Sequence, residues 1–413
     1  MGRGPPLAAL VETRALHPLT PAVTTVAAGD VLADTAPTTA TLGFYIHVPF
    51  CTKRCYYCSF NTSPLDDPAA MTRYLGALGR ELELLAALPW ARSVRLGSVF
   101  FGGGTPSLLS ADAMTDTLDG LRRRFALAAD AEITVECNPE SVTRDKLRAY
   151  RAAGVNRLSL GVQSLEDQIL ERIGRLHDRQ GAHAAFEAAR AAGYDNVSVD
   201  LMYGLPGLDV AAWTRAVDAV LDWQPEHLSA YGLTLDAGSL WGAAGVSGLP
   251  PEDDVVAQYW ALAKAAAWRG LEHYEISNYA RPGYRSRHNL TYWQAAEYLA
   301  AGPGGCGFVG DVRYGNVKPL ARYCAAAEAG TLPVDTFERL TPAQRVAERL
   351  ILGLRTIDGV PTAALGERTA TDPELARTLD EWRQAGRLVD EDGRTRLSEA
   401  GFLVSDALFV DLL

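Results

Sequence analysis

The chain has no run approaching 18 uninterrupted apolar residues, which argues against a transmembrane helix. Its first 40 residues lack a continuous apolar stretch, and Glu12, Asp30 and Asp34 fit an organelle transit peptide poorly. Basic charge is also scarce: 39 Lys and Arg face 50 Asp and Glu, for a net charge of −11. That deficit argues against a broad nucleic-acid surface, because phosphate contacts need clustered cations. Only six cysteines occur in 413 residues, and they are not spread as a disulfide framework. Three of them, Cys51, Cys55 and Cys58, fall within eight residues.

What remains is ordinary for a folded protein of two or three domains, with 48% hydrophobic and 22% charged residues. A reducing compartment with one metal cluster suits the cysteines, so the cytoplasm is the expected location. Residues 1–42 are expected to be a flexible extension. From Gly43 onward short apolar runs alternate with helical stretches. The runs are Phe44–Val48, Ser98–Phe101, Glu132–Glu136, Arg157–Gly161, Val197–Met202 and His227–Tyr231. They read as strands buried on both faces. Helices are expected over Met71–Leu88, Thr143–Ala153, Gly181–Ala192 and Ala211–Trp223, with Gly154 and Gly193 as stops. Six βα units predict an α/β fold with a parallel sheet, either doubly wound or an incomplete barrel. In both, the loops after the strands gather at one face.

Residues 43–285 are taken as that core, 286–338 as a cap or extension of the sheet, and 339–413 as a C-terminal domain. The last carries helices at Pro342–Leu354 and Pro373–Ala385 and a hairpin turning at Glu391-Asp392-Gly393. Its expected form is winged-helix-like.

Cys51-Thr-Lys-Arg-Cys55-Tyr-Tyr-Cys58 directly follows the first strand. Thiolates so spaced can wrap one corner of an iron–sulfur cube. Three thiolates on four irons leave one iron open, and the amino and carboxylate groups of S-adenosylmethionine (SAM) can fill it. One electron from the cluster then cleaves a carbon–sulfur bond to give a 5′-deoxyadenosyl radical. A structural zinc site is the competing reading, but it would want a fourth ligand. Gly102-Gly103-Gly104-Thr105-Pro106 follows the second strand, and its glycines let backbone approach a ligand head group. Glu136, Gln163 and Asp200 stand at or near later strand ends, facing the same mouth.

Tyr45-Ile-His47-Val-Pro-Phe-Cys51, the cysteine triad and Gly102–Pro106 belong to a larger pattern. With Gly161-Val-Gln163-Ser, Asp200-Leu-Met-Tyr-Gly-Leu-Pro206 and Ser229-Ala-Tyr231-Gly-Leu, the chain resembles the radical SAM family of oxygen-independent coproporphyrinogen III oxidases (HemN). The likeness runs from about Phe44 to near the C-terminus. It implies a partial TIM-like (βα)6 barrel, a [4Fe–4S] cluster and SAM as cofactors. It also implies SAM contacts at Tyr45, Gly103, Gly104, Thr105, Glu136, Gln163, Arg175 and Asp200, with Tyr57 acting through its backbone. Thr234 would match a second SAM site.

The oxidase branch carries a further cysteine two places after the triad, where this chain has Phe60. The chain instead resembles the HemW branch of haem chaperones, which implies haem as cargo, a haem-acceptor protein, and an electron donor such as a flavodoxin or ferredoxin. Any membrane contact would come through the acceptor. That branch associates His288-Asn289-Leu-Thr-Tyr292-Trp293 with haem. A neutral imidazole at His288 can ligate iron, Tyr292 and Trp293 offer flat faces, and Lys53, Arg54, Arg281, Arg285 and Arg287 can meet propionates. The competing reading is a structural His-Asn pair capping a turn. After Gly302-Pro303-Gly304 the branch shows Ala-His-Ser, whereas this chain has Gly305-Cys306-Gly307. Coproporphyrinogen oxidation and radical methylation are the alternative activities.

Overall fold

The computed structural model describes residues 28–412. One sheet of twelve strands organises it. Six parallel strands come first: β1 (Thr41–Val48), β2 (Arg95–Gly103), β3 (Ala126–Cys137), β4 (Arg157–Gln163), β5 (Val197–Tyr203) and β6 (His227–Gly232). They lie side by side in chain order. Each of the six runs expected from the sequence falls inside one of them. Helices at Pro68–Ala86, Ala111–Arg124, Arg144–Ala153, Arg179–Ala191 and Val210–Asp222 alternate with the strands.

Local chemistry sets these helix limits. Asp67, Ser110, Thr143, Asp178 and Asp209 each accept a backbone N–H at the helix start. Gly154 closes the Arg144–Ala153 helix with φ of 106°, a left-handed cap that a side chain would strain.

The strands are buried on both faces, as expected, but only one of those faces is apolar. Phe44, Ile46, Val48, Val99, Phe101, Ile133, Val135, Leu158, Leu160, Val162, Val199 and Leu201 form the core beneath the helices. The alternate residues are polar or aromatic: Tyr45, Phe100, Glu136, Arg157, Ser159, Asp200, Ser229 and Tyr231 line a single cavity. Period-two alternation therefore divides each strand between an apolar outer layer and a more polar interior.

The sheet continues past both ends of the six. β7 (Glu272–Glu275) and β8 (Asn278–Ala280) form a hairpin on which β8 pairs antiparallel to β6. β9 (Tyr298–Ala301) pairs parallel to β1 on its other edge, followed by antiparallel β10 (Cys306–Val309), β11 (Val312–Asn316) and β12 (Val334–Arg339). Because β6 bonds β8 and β1 bonds β9, the six strands do not close on each other. Residues from Val31 to Ala327 share one core.

Part of the expected flexible extension is folded. Ala28–Ala33 is helical, Leu32 is buried, and Glu297 receives the backbone N–H groups of Thr38 and Thr39. Residues 1–27 lie outside the described residues.

The C-terminal segment has its own core of Leu350, Leu354, Leu365, Leu379, Trp382, Leu397, Phe402 and Leu408. Its helices include Pro342–Leu354 and Pro373–Gln384. Strands Leu388–Glu391 and Arg394–Leu397 pair antiparallel about Asp392 and Gly393, whose φ values of 50° and 74° suit a type I′ hairpin. Arg355 lies over the Trp293 and Phe409 rings, tying this segment to the short helix Arg287–Trp293. No helix among the described residues is long and apolar enough to cross a membrane.

Candidate cluster and cofactor site

Cys51 ends a two-residue strand, Phe50–Cys51, that leaves β1 and pairs with Ser63–Pro64. Cys55 and Cys58 follow in a tight turn, with the Cys58 N–H donating to the Cys55 carbonyl at 3.2 Å. All three thiols are free and half-buried. The glycine turn after β2 is sewn to this loop: Gly104 N–H donates to the Val48 carbonyl at 2.8 Å, and Thr105 N–H to the Phe50 carbonyl at 2.7 Å. A Cβ on Gly104 would stand 2.6 Å from the Phe50 oxygen, and one on Gly103 would meet the His47 ring at 2.6 Å. Only glycine permits this approach.

Two polar groups reach the sulfurs. Thr105 Oγ1 stands 3.5 Å from Cys51 Sγ, and Arg175 Nη1 stands 3.7 Å from Cys55 Sγ. Arg175 is held by Asn138 Oδ1 and the Gly161 carbonyl, while its Nε has no partner. Burial pushes the Cys51 and Cys58 thiols up, and the nearby hydroxyl, backbone and guanidinium groups oppose it. Among the described residues no three His, Cys, Asp or Glu side chains are gathered as a single metal ion requires. A cluster spreads its thiolates over separate irons, and three free thiols beside a guanidinium fit that anionic group.

The other expected SAM residues sort into two groups. Tyr45, Glu136 and Asp200 line the cavity, about 220 Å³ in volume, inside the six strands. Glu136 Oε2 accepts the Gly103 N–H at 3.2 Å, joining cavity to glycine turn. Burial, then the neighbouring Asp200 charge, raises the Glu136 carboxyl to about 8. Asp200 is raised by burial too, against hydroxyl bonds from Ser159 at 2.9 Å and Ser198 at 3.1 Å. Gln163 ends β4 with φ of 67°, a left-handed strain for a non-glycine residue. Tyr57 is half-buried in the cysteine loop, and Thr234 is exposed beyond β6, outside the cavity lining.

The haem assignment of His288 is not supported by the side-chain geometry. His288 is fully buried, Nδ1 bonds Ser98 Oγ at 2.9 Å, and Nε2 bonds Tyr292 Oη at 2.8 Å. Its ring stacks on Phe100, and burial followed by the Arg157 charge lowers its pKa to about 3. Both nitrogens are taken, so neither is offered to iron. Glu132 accepts the backbone N–H groups of Arg287 and His288 and anchors the short helix Arg287–Trp293. The expected propionate partners are also engaged: Arg285 pairs with Glu272 and Asp358, Arg287 with Asp130, and Arg281 with the Pro225 carbonyl. His288→Ala should therefore destabilise the fold by about 2–4 kcal/mol through a cavity and an orphaned hydroxyl. Urea unfolding measures it, and an unchanged midpoint would return His288 to the role of free ligand.

Sequence reasoning missed Arg157, Ser159, Ser198, His227 and Ser229, which sit on inward positions of β4, β5 and β6. Their signal was the polar member of each alternating pair.

The Radical SAM superfamily model matches residues 45–220, and the HemN C-terminal domain model matches 340–404. The heme chaperone HemW of Mycobacterium tuberculosis is 39% identical over 90% of this chain and 94% of its own length. That of Bacillus subtilis is 34% identical over 88% and 97%. The solved coproporphyrinogen III oxidase (HemN) from Escherichia coli shares the fold, with a TM-score of 0.80 at 22% identity over 93% of this chain and 92% of that one. The chain belongs to the HemW family of radical SAM proteins.

Proposed function

We propose that this protein binds haem and passes it to an acceptor protein, holding a [4Fe–4S] cluster on Cys51, Cys55 and Cys58 with SAM beside it. When bound, the cluster and SAM supply a strongly reducing electron and radical chemistry. The chain's own residues then have separable tasks. Arg175 compensates thiolate charge near Cys55, Thr105 donates toward Cys51, and the turn at Gly103 and Gly104 brings backbone close to the SAM head group. Tyr45, Glu136, Gln163 and Asp200 orient the remainder of SAM, the Tyr57 backbone borders the cluster, and Thr234 is left for a second SAM.

The observation that carries the haem reading is Phe60. It stands 62% exposed two residues after Cys58, where the oxidase resemblance requires a cysteine. Tyr231, Leu235 and Leu240 are exposed on β6 and the loop after it, and that loop packs on the cysteine turn through Arg54 and the Gly238 carbonyl at 2.9 Å. Exposed apolar side chains on segments that meet at Arg54 suit a macrocycle with anionic edges. The names of the HemW relatives support the same cargo. An external one-electron donor such as a flavodoxin or ferredoxin would serve the cluster, and membrane contact would come through the acceptor. Six free cysteines suit a reducing compartment, and the cytoplasm is the proposed location.

The test is anaerobic reconstitution with iron and sulfide, followed by haem titration and a coproporphyrinogen assay. Saturable Soret changes without CO2 release are expected. Sustained decarboxylation would assign the chain to the oxidase chemistry instead.

A further inference from the structure

Asn138 directly follows β3 and joins the two groups that reach the cysteine sulfurs. Its Oδ1 accepts from Arg175 Nη2 at 2.8 Å, and its Nδ2 donates to Thr105 Oγ1 at 3.2 Å. Arg175 in turn aims Nη1 at Cys55 Sγ, 3.7 Å away, and Thr105 aims its hydroxyl at Cys51 Sγ, 3.5 Å away. The main chain of Asn138 is pinned separately. Its N–H donates to Ser107 Oγ at 3.2 Å, and its carbonyl accepts from the Ser141 N–H at 3.0 Å and the Ser141 hydroxyl at 2.7 Å. Lys146 Nζ ties the same two turns together, donating to the Ser107 carbonyl at 2.6 Å and the Ser141 carbonyl at 3.1 Å. A Cβ on Gly161 would stand 3.3 Å from Arg175 Nη2 and 3.4 Å from Asn138 Oδ1, so glycine there leaves room for the pair.

The chemistry of its partners fixes which way the amide faces. A guanidinium only donates, so it meets the amide oxygen, and the amide nitrogen is turned toward Thr105. The Thr105 oxygen then accepts from Asn138 and has one proton left to give. Its acceptor among the described residues is the Cys51 sulfur.

We infer that Asn138 is a positioning residue for the cluster: its one amide commits the Thr105 hydroxyl to Cys51 and holds the Arg175 guanidinium at Cys55. The inference rests on the cluster reading above and assigns the tuning of the cluster to a residue that touches no sulfur. Donors aimed at ligand sulfurs favour the reduced, more negative cluster and raise its reduction potential. A merely structural Asn138 would need only its main-chain bonds to Ser107 and Ser141, and its side chain would leave the potential alone.

The test is a potentiometric titration of the reconstituted, SAM-free cluster, read by electron paramagnetic resonance, in wild type, Asn138→Asp, Asn138→Ala, Thr105→Val and the N138D/T105V double variant. A carboxylate at this position has no hydrogen to donate, so it draws the Thr105 proton to itself and away from Cys51. N138D and T105V should each make reduction about tenfold harder, a fall of roughly 59 mV for a one-electron couple. The double variant should fall short of the sum of the single shifts, because both remove the same hydrogen bond. N138A adds no charge and should move the potential the same way by less.

Potentials equal to wild type in N138D and N138A overturn the assignment while leaving the cluster in place. Shifts in N138D and T105V that add in full do the same, since they mark a charge effect that bypasses Thr105. If N138D assembles no cluster, N138A and N138A/T105V decide: a fall that T105V erases supports the assignment, and an unchanged or additive potential overturns it. Wild type that assembles no cluster is a separate failure, which overturns the cluster reading and this inference with it.

Discussion

Alanine at Cys51, Cys55 and Cys58 together abolishes iron binding while leaving the barrel folded. Reconstituted wild type should hold about four irons and four sulfides per chain, and the variant close to none. SAM affinity should fall with the cluster, because in the proposed function the cluster is what SAM binds beside. The fold survives because none of the three thiols belongs to the hydrophobic core, and each is half-buried in the segment after β1. Far-ultraviolet circular dichroism and Tm should therefore stay near the wild-type values. Iron and sulfide analysis decides the matter, and a stoichiometric zinc content in wild type would sink the assignment.

Glu81→Ala should be the most damaging single change away from the cofactors. This carboxylate is 1% exposed on the helix Pro68–Ala86 and accepts from Gly302 N–H at 2.8 Å, Asn316 Nδ2 at 2.6 Å and Tyr323 Oη at 2.5 Å. Its loss leaves the Gly302 N–H and the Tyr323 hydroxyl buried without a partner, while Asn316 Nδ2 keeps only its bond to the Gly302 carbonyl at 3.0 Å, a cost of about 3–5 kcal/mol. Denaturant unfolding should show that drop, and a change below 1 kcal/mol would refute the account.

The same residue predicts a pH dependence. Burial raises its carboxyl from 4.5 to about 7 in the fold, against the opposing hydrogen bonds. Between those pH values the folded state binds a proton that the unfolded chain has released. Its contribution is therefore full below pH 4.5 and fades as pH rises to 7. Glu81→Gln should flatten that part of the stability profile, and an identical slope in both proteins would exclude the linkage.

The elements that local chemistry controls were legible in advance. Strand positions followed from short apolar runs, helix limits from Thr143 and Gly154, and the C-terminal hairpin from Asp392-Gly393. The cysteine loop and its glycine turn were legible because spacing within a few residues carries the chemistry. Arg157 was not, because a charged residue opening an apolar strand reads as its boundary rather than its inward face. The burial of His288 was equally hidden: its partners Ser98 and Tyr292 satisfy both nitrogens only once β2 and the Arg287–Trp293 helix meet. The union of β1 with β9 depends on residues more than 250 positions apart, beyond any periodicity.

That last pairing bears on how the protein is made. Ile46 faces Ala301, 255 residues later in the chain. At about 5–20 residues per second, a ribosome needs roughly 10–50 s to travel between them. Until it does, the strand that presents the cysteines has one raw edge, open to mispairing with other nascent chains. Chains that stop short of Tyr298 should therefore collect in aggregates.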